Sequence, residues 1–189
     1  MTMLDCSVIE NMGFASVGKN VCISDRAVFY NCANISLGHN VRVDDFCVLS
    51  AGEGGINIGN FVHISAYSSL IGAALIELGD YSGLSSRVSI YSSNDDYSGR
   101  YMTNPTVPST FTNVLHAPVI VCRHVIIGAG SIVLPGVTLH EGAGVGALSV
   151  VKKDCEGFSM YFGSPARRIG ERSKKLLELE KTLLSSIEM

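Results

Sequence analysis

An aliphatic residue recurs at every sixth position near the end of the chain. The series is Val121, Ile127, Val133, Leu139, Val145 and Val151. A period of six fits neither the three-and-four spacing of a helical face nor the alternation of a half-buried strand. It predicts that each six-residue block repeats one structural step, as in a parallel β-helix.

The six-residue repeat begins at Val17. Its blocks group into trios, and each trio predicts one coil of a three-sided prism. The trios start at Val17, Leu37, Ile58, Leu78, Val121 and Leu139. A glycine follows the starting residue in four trios, where we expect it to permit a tight corner. These glycines are Gly18, Gly38, Gly59 and Gly79.

The fifth residue of each block is small or compact and is predicted to fill the prism interior beside the aliphatic first residue. Examples are Ala27, Ala33, Cys47, Ala74 and Val88. A free cysteine behaves as a small apolar residue, so we expect Cys47 to be buried and inert.

The repeat divides the chain into three parts. Residues 1–16 lack it and predict an N-terminal cap, and residues 17–170 form the β-helix with an inserted loop at 92–118. Residues 171–189 predict an amphipathic C-terminal helix, because leucines and isoleucine recur at spacings of three and four. The predicted fold class is therefore all-β: a parallel β-helix with a projecting loop and a C-terminal α-helix.

Composition narrows the classes of function. The aromatic share of 7% and the 20 glycines suit a narrow, regular interior. A formal charge of −3 gives no reason to expect nucleic acid as a partner. The six cysteines lack paired metal spacing and the N-terminus lacks a signal pattern, so we expect a reduced, cytoplasmic protein. The uncharged stretch 54–76 is too rich in Asn, His and Ser to predict membrane insertion.

The hexapeptide blocks, together with the segment FGSPARRI at 162–169, resemble the left-handed β-helix acyltransferases of the hexapeptide-repeat superfamily. The resemblance covers roughly residues 17–172. It also supplies the left hand of the coil, since the usual crossover rule for parallel strands favours the right.

The resemblance implies acetyl-CoA as cosubstrate and no metal. Backbone amides of Ala129, Gly130 and Ala147 match positions that hold the pantetheine arm in related enzymes. Lys152 and Lys153 follow the last coils, and in the segment 162–169 Arg167, with Arg168 in reserve, would face the nucleotide phosphates of coenzyme A. Between residues 167 and 181 six basic residues stand against three acidic ones, which suits a polyanionic ligand.

The inserted loop departs from the best-known members of the superfamily. Galactoside and xenobiotic acetyltransferases carry a catalytic histidine at its entrance, where this chain has Ser93, Asn94, Asp95 and Asp96. The segment SSNDDYSG…MTNPTVP resembles the dTDP-4-amino-4,6-dideoxyglucose acyltransferases. This resemblance implies N-acetylation of a nucleotide-linked amino-deoxysugar, whose neutral amine needs less help from a base than a hydroxyl does.

On this hypothesis the first loop residues carry the chemistry. Asp95 or Asp96 holds or deprotonates the amino group, and Asn94 orients it. Tyr97, Arg100 and Asn104 contribute to the sugar-nucleotide pocket, where Arg100 is able to meet a diphosphate with two parallel hydrogen bonds. The alternative role for the two aspartates is turn formation at the loop entrance.

Other functions stay open at this point. His116 is the one histidine of the loop and would be the base of an O-acetyltransferase acting on a saccharide hydroxyl. A third possible function is that of a noncatalytic scaffold or a metal enzyme. A metal enzyme is disfavoured because the other histidines lie in different coils without a shared block position, and we interpret them as solvated corners or outward faces. They are His39, His63, His124 and His140.

The resemblance also implies an assembly and a biological role. Related enzymes are homotrimers whose active sites lie between adjacent prisms. The implied partners are a nucleotide-sugar or saccharide acceptor and two further copies of the chain. The implied pathway is synthesis of O-antigen or another surface polysaccharide.

Overall fold

The computed structural model describes residues 2–187, which form a left-handed parallel β-helix of about seven turns. Three parallel sheets make the faces of the prism. Along each sheet, a strand pairs with the strand one coil away, so residues about one coil apart in sequence stack on one another. Leu78, for example, lies beside Val121, which lies beside Leu139.

Strands are numbered in chain order and fall into three faces. The first face contains β1 (Ser16–Val17), β4 (Ile35–Leu37), β7 (Ile56–Ile58), β10 (Ile76–Leu78), β15 (Val119–Val121) and β18 (Thr138–Leu139). The second contains β2 (Cys22–Ile23), β5 (Arg42–Val43), β8 (His63–Ile64), β11 (Gly83–Leu84), β16 (Ile126–Ile127), β19 (Gly144–Val145), β21 (Ser159–Phe162) and β22 (Arg167–Glu171). The third contains β3 (Val28–Tyr30), β6 (Val48–Ala51), β9 (Ser69–Gly72), β12 (Ser89–Tyr91), β17 (Ile132–Val133) and β20 (Val150–Val151).

The remaining elements lie at the ends of the prism and in the inserted loop. Helix α1 (Cys6–Asn11) precedes the first coil, and helix α2 (Leu176–Ile187) follows the last strand. In the loop, β13 (Ser93–Asn94) pairs antiparallel with β14 (Leu115–His116). No helix within residues 2–187 is long and apolar enough to cross a membrane.

The prism interior is a stack of aliphatic layers. All six residues of the opening series at 121–151 are buried, as the period of six predicts. Cys47 is fully buried as well, and burial raises the pKa of its thiol to about 11. Buried methyl and methylene groups contribute most of the stability of such an interior.

Two of the predicted interior positions are wrong. Ala33 is exposed, because the corner there forms a 3-10 turn at Cys32–Asn34, and the next inward place goes to buried Ile35. Ala74 is only partly buried, and buried Ile76 takes the inward place after it. Ala27 does pack against the interior, but it is only partly buried because the first coil has a neighbouring coil on one side only.

The corner glycines are needed because the coils approach closely. A Cβ at Gly38 would lie 2.5 Å from the carbonyl oxygen of Gly59, and one at Gly18 would lie 2.3 Å from that of Gly38. Neither glycine has a positive φ, whereas non-glycine corner residues such as Phe46 and Tyr67 do. Contact between stacked backbones, rather than turn conformation, therefore selects glycine after the starting residue.

The C-terminal helix begins later than predicted. Residues 167–171 form β22, which pairs antiparallel with β21, so the helix starts at Leu176 rather than at Glu171. Some of its leucines remain open to solvent, since Leu179 is 61% and Leu183 39% exposed. Residues 188 and 189 of the predicted helix, and the side chain of Ile187, lie outside the described part of the chain.

Candidate active site

A cleft of about 350 Å³ opens at the corner where the second face turns into the third, which we call the second corner. It spans three consecutive coils, so residues distant in sequence come together by stacking. The lining residues are His63, Ser65, Gly83, Leu84, Ser85, Ser86, Ile126 and Ala129. Ala129 is one of the residues predicted to hold the pantetheine arm.

Backbone hydrogen bonding at this corner leaves a specific set of amides available. The N–H of Gly130 donates to Ser86 O at 3.0 Å, and the N–H of Leu148 donates to Ala129 O at 2.8 Å. The amides of Ala129 and Ala147 have no acceptor within residues 2–187, and both residues are exposed. They lie one coil apart, a rise of about 4.8 Å. Of the three predicted amides, Ala129 and Ala147 are thus free to bind a ligand and Gly130 is engaged within the chain.

The predicted phosphate-binding cations lie at the C-terminal end of the same prism. The N–H of Ala166 donates to Val150 O at 2.8 Å, which brings the start of β22 against the end of β20. Lys152, Lys153 and Arg167 are exposed, and within residues 2–187 no carboxylate lies within 4.0 Å of them. Arg168 differs, because it donates to Ser159 Oγ at 3.1 Å and lies 3.6 Å from Glu156. The three unpaired cations are the ones suited to a polyanionic ligand.

The inserted loop leaves the prism between β12 and β15, at the corner where the third face turns into the first, which we call the third corner. Its base is fixed by Ser93, whose hydroxyl accepts from the Ala73 amide at 2.8 Å and lies 2.8 Å from Nδ1 of His116. His116 is exposed. This serine–histidine contact holds the two ends of the loop together and gives His116 a structural role at that position.

The two candidate aspartates differ in their surroundings. Asp96 accepts from the amide and hydroxyl of Ser98 at 2.7 and 2.5 Å, and Asn113 donates to its other oxygen at 3.4 Å. The Ser98 hydroxyl is the main reason that the pKa of Asp96 is below its ordinary value. The carboxylate of Asp95 has no hydrogen-bond partner within residues 2–187, although the residue is partly buried. Asp95 is therefore the carboxylate available to a ligand, and Asp96 shapes the loop.

The remaining loop candidates lie farther from the prism. Tyr97 is 87% exposed, and Arg100 is exposed with its Nε donating to Ser98 Oγ at 3.2 Å. Asn104 adopts a left-handed φ of 75°, and its Oδ1 accepts from the amide and hydroxyl of Thr106. Asn94 donates to the backbone oxygen of Asp95 at 3.2 Å. Asn104 thus stabilises a turn, while Tyr97 and Arg100 present free surface.

The predicted site residues form two groups within one chain. Asp95 and its neighbours lie on the loop at the third corner, whereas Ala129 and Ala147 lie at the second corner. A full face of the prism separates these corners. A single chain therefore does not bring the acceptor candidates onto the cofactor candidates.

Two further side-chain clusters involve histidines that sequence reasoning assigned to solvent. His124 is buried: it stacks on Tyr81 with ring centroids 5.0 Å apart, and its Nε2 lies 2.9 Å from Glu180 Oε2. In the cleft, Nε2 of His63 lies 2.8 Å from Asp44 Oδ2. The interpretation of His124 as a solvated corner is wrong, because helix α2 covers it. The period of six does mark residues one coil apart as stacked, but it carries no information about where the helix docks.

Two negative observations concern other parts of the described chain. Within residues 2–187, no group of three or more His, Cys, Asp or Glu side chains is arranged to hold a metal ion. A larger cavity of about 560 Å³ lies beside α1 at the N-terminal end, between Cys6, Val17 and His39. None of the predicted site residues lines it.

Comparison with known proteins identifies the family. No protein-family model matches the sequence. The chain is 61% identical over 186 residues to a dTDP-4-amino-4,6-dideoxy-D-glucose acyltransferase of Escherichia coli, which covers 98% of this chain and 97% of that protein. The chain belongs to this acyltransferase family.

Solved structures of the N-acyltransferase AntD have the same fold as this chain. AntD, an N-acyltransferase from Bacillus cereus in complex with dTDP and 3-hydroxybutyryl-CoA, is 43% identical with a TM-score of 0.96. The match covers 99% of this chain and 98% of AntD. A mutant of AntD in complex with dTDP-4-amino-4,6-dideoxyglucose and coenzyme A matches with a TM-score of 0.94. This member of the acyltransferase family therefore shares the left-handed β-helix fold of AntD.

Proposed function

We propose that this acyltransferase transfers the acetyl group of acetyl-CoA to the amino group of a dTDP-linked 4-amino-4,6-dideoxyhexose. The observation that carries the proposal is the 61% identity, over nearly the whole chain, to an enzyme named for that sugar nucleotide. The dTDP-sugar and coenzyme A found in AntD complexes support the same pair of substrates.

Coenzyme A lies along the second corner in this proposal. Two free amides one coil apart, at Ala129 and Ala147, suit the carbonyl groups of a pantetheine arm. Three cations without carboxylate partners within residues 2–187, Lys152, Lys153 and Arg167, suit its phosphates. A thioester bound on this line ends at the cleft, because Ala129 is a lining residue.

The acceptor is held by the inserted loop. The partly buried carboxylate of Asp95, without a partner in the described chain, suits the ammonium form of an amino sugar, and Asn94 fixes the backbone beside it. Arg100 pairs with the diphosphate and Tyr97 lies against the nucleotide. Asn104 and Asp96 keep the loop in shape through their bonds to Thr106 and Ser98.

The active enzyme is a homotrimer in this proposal. Its support is the separation of the two groups of site residues: the loop at the third corner needs a second prism to reach a cleft at the second corner. The six free cysteines support a reducing, cytoplasmic environment. The product, an N-acetylated sugar nucleotide, suits the assembly of O-antigen or another surface polysaccharide.

The decisive experiment measures thiol release from acetyl-CoA by the purified protein with dTDP-, UDP- and GDP-linked amino sugars and with plain saccharides. We expect turnover with the dTDP-linked 4-amino sugar and none with saccharides that offer hydroxyl groups alone. Turnover confined to hydroxyl acceptors would contradict N-acetylation.

O-acetylation is the second candidate, and one contact favours it. The Ser93–His116 pair, with 2.8 Å between Oγ and Nδ1, would serve as a base for a hydroxyl acceptor. The exposure of His116 and its place at the base of the loop, however, fit a structural role equally well.

A further inference from the structure

His63 stands in the cleft with a fixed orientation. Its Nε2 lies 2.8 Å from Asp44 Oδ2, and the other carboxylate oxygen of Asp44 accepts from Arg42 Nε at 2.7 Å. The three side chains come from adjacent strands, since Arg42 pairs with His63 across β5 and β8. Asp44 itself is only 6% exposed, so this contact is screened from water on one side.

The charge of Asp44 fixes the tautomer of His63. Burial alone would raise the pKa of Asp44, but hydrogen bonds from Arg42 and His63 outweigh it and keep that pKa below its ordinary value. The carboxylate is thus ionised near neutral pH and accepts only, so Nε2 of the imidazole carries the proton. Nδ1 then has a lone pair, and it has no partner within residues 2–187. An imidazole oriented in this way by a carboxylate is the arrangement of a general base.

The space beside His63 is open because the neighbouring residues of the next coil are small. On the next strand His63 pairs with Gly83, which has no side chain, and Ser85 and Ser86 follow at the corner. None of these neighbours on β11 and its corner carries a charge. The groups that face the imidazole are therefore Asp44 and Arg42 from the preceding coil, and the cleft itself on the other side.

We propose that His63, oriented by Asp44, is the proton acceptor of the acyl transfer in this cleft. The proposal rests on the proposed function, because it takes Ala129 as the place where the thioester end of coenzyme A lies. It assigns the chemistry to the second corner and leaves Asp95 with binding of the amino group. The histidine absent from the loop entrance is thereby replaced by one on the prism itself.

The reaction step balances with this assignment. The ammonium group bound at Asp95 first gives one proton to solvent. The lone pair of the neutral nitrogen then forms the new bond to the acyl carbon, and the electron pair of the carbon–sulfur bond leaves with sulfur. The proton that the nitrogen gives up passes to Nδ1 of His63 and from there to the thiolate. The enzyme returns to its starting state, with an amide and a thiol as products.

The test compares His63→Gln with His140→Gln, a matched change at an exposed histidine outside the cleft. We expect His63→Gln to lower kcat by about 100-fold, the typical contribution of a general base. The loss of kcat/KM that protonation of this base causes on acidification should disappear with it. Thermal stabilisation by coenzyme A should persist in both variants, and His140→Gln should turn over as the unaltered enzyme does.

A second measurement needs no catalysis. Nitrogen-15 NMR of the unaltered, ligand-free protein near pH 8 should show His63 as the Nε2–H tautomer, and Asp44→Asn should weaken that preference. A dominant Nδ1–H tautomer in the unaltered protein, or an unchanged kcat in His63→Gln, would overturn the inference while the proposed function stands. Absence of any turnover by the unaltered enzyme with amino sugars would overturn the proposed function itself.

Discussion

Nε2 of His124 lies 2.9 Å from Oε2 of Glu180, and this contact joins the C-terminal helix to the fifth coil of the prism. Arg123 donates to the other carboxylate oxygen of Glu180. The side chains of His124 and Glu180 are 8% and 11% exposed, so the pair is largely shielded from water. The helix is thus held to the prism through charged groups while Leu179 remains open to solvent.

Glu180→Gln should therefore destabilise the protein measurably. The substitution keeps the shape of the side chain but removes the charge that two donors share, and we expect the free energy of unfolding to fall by about 1.5–3 kcal/mol. Chemical denaturation followed by circular dichroism measures the change. Glu53→Gln is the control, because Glu53 is exposed and has no ion pair within residues 2–187. Equal stability of the two variants would show that the helix contact contributes little.

Substitution of the candidate residues of the loop should change the kinetic constants to different extents. Asp95→Asn should lower kcat/KM for the amino sugar at least about tenfold, since it removes a charge that we assign to the ammonium group. His116→Ala should retain most of the activity, because the amine acceptor does not require that base. Steady-state kinetics with the dTDP-linked 4-amino sugar measures both. A His116→Ala enzyme that is almost inactive would favour O-acetylation.

Asp96 should act on binding through the loop rather than on the chemical step. Its carboxylate anchors the turn at Ser98, so Asp96→Asn should raise KM for the sugar nucleotide more than it lowers kcat. Because the pKa of Asp96 is lowered, the carboxylate anchor is present above its ordinary pKa and is lost only as the pH falls through the lowered value. The KM of the unaltered enzyme should accordingly be insensitive to Asp96 between pH 6 and 8. Loss of kcat alone in Asp96→Asn would contradict this assignment.

The cations at the end of the prism should determine the affinity for coenzyme A. Arg167→Ala should raise KM for acetyl-CoA about tenfold, the effect of losing one charge-assisted phosphate contact, with kcat unchanged. The effect should shrink in high salt because exposed charges are screened. Arg168→Ala is the comparison, since Arg168 already binds Ser159 and Glu156. A larger effect at Arg168 than at Arg167 would reverse the assignment.

The thiols should react in the order of their burial. Cys6 and Cys22 are exposed, whereas Cys47 and Cys155 are buried and have pKa values raised to about 11 and about 12. Because the thiolate is the reactive form, iodoacetamide at pH 8 should label Cys6 and Cys22 well before Cys47 and Cys155. Mass spectrometry of the digested protein locates the label. Rapid labelling of Cys47 in the folded protein would show that the prism interior opens.

The period of six at residues 121–151 was enough to predict the coil. Each inward aliphatic side chain marks the position of one strand, and that strand stacks on the strands of the neighbouring coils. The Gly-Ser-Pro-Ala segment likewise marked where the chain leaves the prism. These features are local in sequence, and the burial of the aliphatic residues follows from their side-chain chemistry. The predicted helix start at Glu171 was wrong because pairing of β22 with β21, a contact between two strands, overrides the helical spacing of the leucines.

Only the tertiary structure decided which polar groups meet. Asp44 and His63 lie 19 residues apart on coils that the repeat stacks, but the six-residue pattern does not say that their side chains bond. His124 and Glu180 lie 56 residues apart, and Glu180 lies on a helix outside the repeat, so the pattern could not connect them. The same holds for the amides, where Gly130 is engaged by Ser86 while Ala129 is free. The sequence by itself determined the prism, since repeated burial of aliphatic residues dictates the coil. The stacking of coils and the docking of the helix decided the sites, because hydrogen bonds depend on where distant segments finally lie.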